Sequence, residues 1–238
     1  MLRRGIYTLI TIPVFGAQYL FTAIIVAINL VFAWLNMKGA VRILSIFWAR
    51  SILLILGKRL KVHGLDHIDK EKKYIIVANH ASIFDINAIM SFYPGVAWFG
   101  REYLIKIPMF GKFLKMTNYI PLKEASIVNT KAVIDQLIEK SNGYTIAIFP
   151  EGHRTIDGKI SKFQRGFIYL MRQTEIDILP VTLNGFFNLK PKTRFYIDFD
   201  SKINVVIHKP ISKAELADKK DDEILKVVKD IIESGYEI

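Results

Sequence analysis

From Gly5 to Met37 the chain carries no charged residue, and this restricts its folding more than any other feature. A helix crosses a bilayer core with about 20 apolar residues, so the stretch is long enough to span a membrane or embed deeply in one. It does not read as a secretory signal, because the apolar part is too long and no small-residue cleavage site precedes a polar start. A second apolar stretch, Ile43 to Leu56, contains Arg50 and is short for a span, which suits a helix lying at the interface. Basic residues flank the first stretch on both sides (Arg3 and Arg4, Lys38 and Arg42), so the positive-inside rule gives no orientation. The expectation is an anchor over residues 1–57, a helical hairpin or L-shaped segment dipping into one leaflet, with a single span as the alternative.

The whole chain has 238 residues, 51% of them hydrophobic, with a mean hydropathy of +0.26. Residues 58–238 are enough for one α/β domain with a real core. Net charge is +11, from 33 Lys and Arg against 22 Asp and Glu, and no acidic residue precedes Asp66. Anionic headgroups attract such an end by roughly 1 kcal/mol per basic residue near the surface. A basic protein can also bind nucleic acid, but no recognisable module supports that here. The chain has no cysteine, which excludes disulfides, thiolate nucleophiles and cysteine-based zinc sites.

Beyond the anchor, Arg59 to His63 alternates like a surface strand. Strands are expected at Tyr74–Ala78, Val96–Phe99, Asn118–Leu122, Tyr144–Phe149, Ile178–Leu183, Arg194–Phe199 and Lys202–His208. Helical patterns cover Ile83–Phe92 and Ile127–Leu137. Ser212-Lys213-Ala214-Glu215 is a capping-box pattern expected to open the amphipathic C-terminal helix that carries Ile224, Val227, Val228, Ile231 and Ile232. These elements predict an α/β fold: one domain with a mixed central sheet flanked by helices, behind the membrane-anchoring segment.

Several strand-like runs end in residues that can do chemistry. Asn79-His80-Ala81-Ser82-Ile83-Phe84-Asp85 follows the apolar run Tyr74 to Ala78. Five residues apart, His80 and Asp85 would stand about 140° apart on a helix, so they meet only if His80 lies on the turn before it. That arrangement makes a base and its orienter, with the carboxylate accepting from one ring nitrogen. A histidine capping a helix, with an aspartate in its first turn, fits the same spacing equally well. Phe149-Pro150-Glu151-Gly152-His153-Arg154 ends another run. There Gly152 permits close backbone approach, Arg154 offers a planar fork for phosphate, and Glu151 can hold it or a neighbouring group. Arg101 and Lys123 are further cations beside apolar runs, where a solvated surface charge is the commoner case. Leu179-Pro180-Val181 shapes a buried strand edge. A metal site drawn from His80, Asp85, Glu151 and His153 lacks any His-x-x-x-His pattern and is not expected.

Taken in order, Asn79-His80 with Asp85, Arg101-Glu102-Tyr103-Leu104 with Ile107-Pro108-Met109-Phe110-Gly111, Phe149-Pro150-Glu151-Gly152 with Arg154, and Leu179-Pro180-Val181 resemble the glycerolipid acyltransferase family. The likeness is greatest to its 1-acylglycerol-3-phosphate (lysophosphatidate) acyltransferases. It covers roughly Arg59 to Asn184, and four motifs in order are specific where any one is weak. His153 stands where the family commonly has Thr or Ser. Lys123 stands where it commonly has arginine, keeping the charge but not the bidentate fork.

The resemblance implies His80 as general base and Asp85 as its orienter, with Arg101, Lys123, Glu151, Gly152 and Arg154 at the substrate. It implies a membrane-associated enzyme moving a fatty acyl group from a thioester to the sn-2 hydroxyl of lysophosphatidate, its catalytic domain on the cytoplasmic face. Acyl-carrier protein or acyl-coenzyme A would be the donor, and no cofactor or metal is implied. Glycerol-3-phosphate and other lysophospholipids are alternative acceptors. A membrane-anchored lipid-binding protein without turnover is the alternative of another class.

Overall fold

The computed structural model describes residues 2–93, 95–108, 110–116, 119–122, 135, 137–139 and 143–237. Two long helices lead, α1 (Leu2–Trp34) and α2 (Lys38–Ile55). They are joined through Asn36, whose φ of +55° is one that asparagine tolerates better than most residues. They run antiparallel: Gln18 Nε2 donates to the carbonyl of Ile52 at 3.1 Å, and Trp48 Nε1 to Thr22 Oγ1 at 2.9 Å. Among the described residues, α1 alone is long and apolar enough to cross a membrane.

Behind the helices stands a five-stranded mixed sheet in the order β1–β7–β6–β2–β5. Its strands are β1 (Lys61–His63), β2 (Tyr74–Ala78), β5 (Ile146–Ile148), β6 (Asp177–Asn184) and β7 (Asn204–Ile207). β2 runs parallel to both β5 and β6, whereas β7 is antiparallel to β6. A separate parallel pair joins β3 (Phe99–Arg101) to β4 (Ile120–Leu122). Further α-helices among the described residues include α3 (Asp85–Phe92), α4 (Phe110–Met116), α5 (Gly166–Gln173), α6 (Phe186–Leu189), α7 (Lys213–Leu216) and α8 (Asp221–Ser234).

Strand periodicity divides the core. Tyr74, Ile76 and Ala78 point to one face, where they join Ala88 and Ile89 of α3, Ile25 and Val26 of α1, and Trp48, Ile52 and Leu53 of α2. Ile75 and Val77 point to the other, against Phe167 and Met171 of α5 and Ile224, Val228 and Ile232 of α8. Burial on both faces is why β2 reads as an unbroken apolar run. The two N-terminal helices therefore share one core with the sheet.

Two expectations are corrected. Arg194–Phe199 is not a strand; it is an irregular segment docked on α1. Thr11 Oγ1 accepts from the amide of Ile197 at 2.9 Å, and Tyr7 packs edge-on to Phe199. The capping box at Ser212 does form, but it opens the single turn α7, and the amphipathic helix α8 begins afresh after Lys220. The helix expected at Ile127–Leu137 lies almost wholly outside the described residues.

Candidate active site

Both loops that build the site leave the carboxyl ends of adjacent parallel strands, β2 and β5, where open α/β sheets gather their ligands. Asn79 fixes the first loop to the neighbouring strand. Its side chain donates to the carbonyl of Leu183 at 3.0 Å and accepts from the amide of the same residue at 2.8 Å. The chain then turns around the carboxylate of Asp85, which opens α3. Oδ2 accepts from the amides of Ala81 at 2.6 Å and Ser82 at 2.8 Å. The same oxygen lies 2.8 Å from His80 Nδ1.

Asp85 is fully buried. An ionised carboxylate only accepts hydrogen bonds, so Nδ1 carries the proton and Nε2 is the imidazole's basic nitrogen. Nε2 has no hydrogen-bond partner among the described residues, and the His80 side chain retains 18% of its exposure. The imidazole lies on Phe149, with ring centroids 4.0 Å apart and planes within 10°. Trp98 stacks on Phe149 in turn, at 5.6 Å. One edge and one face of the imidazole are thereby fixed.

The loop after β5 grips the backbone of His80 from both sides. Glu151 Oε1 accepts from the His80 amide at 2.7 Å, and Oε2 from the amide of Ser161 at 2.8 Å. The amide of Thr155 donates to the His80 carbonyl at 2.9 Å. The sequence groups Glu151 with the substrate contacts; in the structure its buried carboxylate braces two loops instead. Gly152 turns the chain between them with φ of +73°, a conformation side-chain-bearing residues rarely adopt. His153 Nδ1 meets the carbonyl of Glu151 at 2.7 Å, so it is a donor that holds the turn.

Arg154, the next residue, is half-buried and makes no hydrogen bond or ion pair with the described residues. A buried lysine that the sequence does not single out, Lys190, is close enough to feel its charge. The Lys190 ammonium is held below its ordinary pKa, first by burial and then by Arg154 and Arg194. It donates to the carbonyls of Pro191, at 3.1 Å, and Arg194. Its own carbonyl accepts from Ser82 Oγ at 2.8 Å. No motif or spacing marks Lys190 in the sequence, because a lysine in a loop ordinarily faces water.

The structure thus brings His80, Asp85, Glu151, Gly152 and Arg154 into one place. Arg101 ends β3 opposite Leu122 of β4; its side chain lies outside the described residues, and so does Lys123. Among the described residues no group of three or more His, Asp or Glu side chains is arranged to hold a metal ion.

The acyltransferase family profile matches residues 59–184, from the approach to β1 through the last residue of β6. The chain belongs to the acyltransferase family. Within acyltransferases of this kind, it is 30% identical over 184 residues to the 1-acyl-sn-glycerol-3-phosphate acyltransferase of Saccharomyces cerevisiae, covering 74% of this chain and 59% of the yeast protein. It is 29% identical over 184 residues to the protein of that name from Borreliella burgdorferi, covering 76% and 72%. A chloroplastic 1-acyl-sn-glycerol-3-phosphate acyltransferase of Brassica napus is 28% identical over 178 residues, covering 71% of this chain and 50% of the plant protein. The chain spans about half the length of such plant relatives. The acyltransferase fold is similar throughout to the crystal structure of the 1-acyl-sn-glycerophosphate acyltransferase PlsC from Thermotoga maritima. The TM-score is 0.86 at 26% identity, over 98% of this chain and 95% of that one. The family and the mixed α/β fold expected from the motifs and strand pattern are the ones found.

Proposed function

We propose that the chain moves a fatty acyl group from a thioester to the sn-2 hydroxyl of lysophosphatidate, forming phosphatidate. The observation that carries this reading is the buried Asp85 carboxylate 2.8 Å from His80 Nδ1, with Nε2 committed to no described residue. In the proposed reaction Nε2 takes the hydroxyl proton as that oxygen attacks the thioester carbonyl. The tetrahedral oxyanion collapses, the carbon–sulfur bond breaks, and the departing thiolate recovers the proton from the imidazolium. The carboxylate of Asp85 stabilises that imidazolium while it exists. No covalent enzyme intermediate is required.

Arg154 is the proposed phosphate contact, because it is half-buried and uncommitted next to Thr155, whose amide donates to the His80 carbonyl, and a guanidinium suits phosphate geometry. Arg101 and Lys123 complete the proposed headgroup site, and Gly152 gives the loop its close approach. Acyl-carrier protein or coenzyme A carries the acyl group as co-substrate, and no cofactor is needed. We further propose that residues 1–57 hold the protein in the membrane, with residues 58–238 as the catalytic unit on the cytoplasmic face. The apolar length of α1 supports the attachment.

The test is turnover by the purified protein in detergent, with labelled lysophosphatidate and each thioester donor in turn. Phosphatidate should form with the wild type and not with a folded His80→Ala variant. Acylation of glycerol-3-phosphate or of another lysophospholipid in place of lysophosphatidate would replace the acceptor. Lipid binding without turnover by either protein would overturn the enzyme reading.

A further inference from the structure

Away from the base, a groove of about 480 Å³ lies between α2, the C-terminal end of α3 and β1, and none of the site residues lines it. Three cations line it, Arg50, Lys58 and Arg59, and no carboxylate does. The rest of the lining is almost entirely apolar and includes Leu54, Leu65 and Phe92. Leu54 and Leu65 keep 56% and 51% of their surface exposed, so apolar side chains stand at its rim.

The three cations differ in how far they are committed. Lys58 is 6% exposed, and its ammonium donates to the carbonyls of Phe199, at 2.6 Å, and Ser201. Burial holds it below its ordinary pKa, while Asp198, which does not line the groove, acts in the opposite sense. Arg50 gives only Nε to the protein, donating to the carbonyl of Ser91 at 3.0 Å; this orients its plane and leaves the two terminal nitrogens available. The Arg59 guanidinium makes no hydrogen bond or ion pair among the described residues.

The terminal nitrogens of Arg50, the guanidinium of Arg59 and the buried ammonium of Lys58 line one groove with exposed leucines, which suits a ligand that is anionic at one end and apolar at the other. Arg50 and Leu54 belong to α2, which packs along the apolar helix α1. The available amphiphile of that chemistry is therefore a lipid of the same bilayer. We propose that this groove binds one anionic phospholipid, its headgroup phosphate on Arg50 and Arg59 and its upper acyl chain against Leu54, Leu65 and Phe92. This rests on the proposed membrane attachment but not on acyl transfer. The bound lipid is neither acceptor nor product at His80, and it gives the protein a preference for acidic membrane surface.

The experiment measures binding and not turnover. Dihexanoyl phosphatidylglycerol and dihexanoyl phosphatidylcholine are titrated, below the concentrations at which they aggregate, into the 238-residue chain in neutral detergent. Native mass spectrometry counts the lipids retained. One phosphatidylglycerol per chain should bind at least about tenfold more tightly than phosphatidylcholine. The pair Arg50→Gln/Arg59→Gln should remove that preference. Leu65→Glu, which places a carboxylate at an exposed rim position without disturbing the core, should do the same. Lys226→Gln/Lys229→Gln on α8 and Arg154→Ala should leave the preference intact. Equal binding of the two lipids would overturn the proposal, and so would an equal loss in the α8 variant, which would mean surface charge alone. Loss in Arg154→Ala with retention in the groove variants would place the lipid at the active site and overturn it too. Absent turnover with intact binding would count against the acyl-transfer reading only.

Discussion

The imidazole of His80 lies flat on the ring of Phe149, 4.0 Å between centroids. Stacking of this kind restrains the tilt of the ring plane, which a single contact at Nδ1 leaves free. Phe149→Leu keeps an apolar side chain and removes the plane. We expect kcat to fall roughly tenfold with KM for lysophosphatidate little changed, since small misplacements of a catalytic group are costly. Phe149→Tyr should restore most of the rate. Steady-state kinetics on the two variants decide it, and an unchanged Phe149→Leu enzyme would remove the positioning role.

Replacing Asp85 by asparagine keeps the size of the side chain but changes what it offers. If the amide oxygen keeps the amides of Ala81 and Ser82, it also keeps His80 Nδ1, because one oxygen of Asp85 makes all three contacts, and the NH2 group takes the buried place of Oδ1. The ring stays oriented, but the negative charge that stabilises the imidazolium is lost. Asp85→Asn and His80→Ala should both lose activity by ~10²–10⁴-fold, while circular dichroism remains that of the folded protein. A folded Asp85→Asn variant with near-normal turnover would refute the role of the carboxylate's charge.

Arg154→Ala should raise KM for lysophosphatidate far more than KM for the thioester donor. Charge-assisted bonds to phosphate are about twice as strong as neutral ones, so losing one weakens the acceptor selectively. Monoacylglycerol, which has no phosphate, should be a poor acceptor for the wild type and no poorer for the variant. Should the donor KM rise alone, the guanidinium belongs to the carrier site.

His208 gives stability a pH dependence below neutrality. Its ring is pushed below the ordinary value of 6.5, first by burial and then by the charge of His67; Nε2 lies 2.8 Å from Thr182 Oγ1. The unfolded chain therefore binds the proton more readily. The stabilisation is fully present above about 6.5 and is lost as pH falls from there through the lower folded-state pKa. Thermal midpoints should drop between pH 7 and pH 5, and less steeply in His208→Gln. Parallel curves for the two proteins would assign the drop to other groups.

Deleting residues 1–57 should do more than release the protein from membranes. Ile25, Val26, Trp48, Ala49, Ile52, Leu53 and Leu56 belong to the same buried cluster as Tyr74, Ile76 and Leu179. Uncovering that face should leave residues 58–238 aggregation-prone and of low thermal stability, even in detergent. A soluble, cooperatively melting fragment would show that the helices only cover the core.

Much of this architecture was legible because local pattern and burial agreed. β2 coincides with the apolar run Tyr74 to Ala78, since a strand covered on both faces has no polar positions to interrupt it. The His80–Asp85 pairing was legible as one of two equally good readings, and the ordered motifs resolved the choice. Arg194–Phe199 misled because Phe195, Tyr196, Ile197 and Phe199 are strand-prone residue types, whereas a partner of the segment, Thr11, lies almost 190 residues away on α1. Ser212 misled because a capping box marks where a helix begins and says nothing of its length. Lys190 left no trace at all, because its burial is created by Ser82, Pro191 and Arg194 coming together only in the folded chain.

The double grip on the His80 peptide also constrains how substrates arrive. The segment after β5 is bonded to the amide of His80 through Glu151 and to its carbonyl through Thr155. It cannot swing outward as a lid without breaking these bonds or carrying His80 with it. A lid that opens without moving His80 would have to come from another segment. A graft that exchanges residues 150–164 with those of a relative would have to import the turn from Asn79 to Asp85 as well, because the two loops are bonded to each other through the His80 peptide.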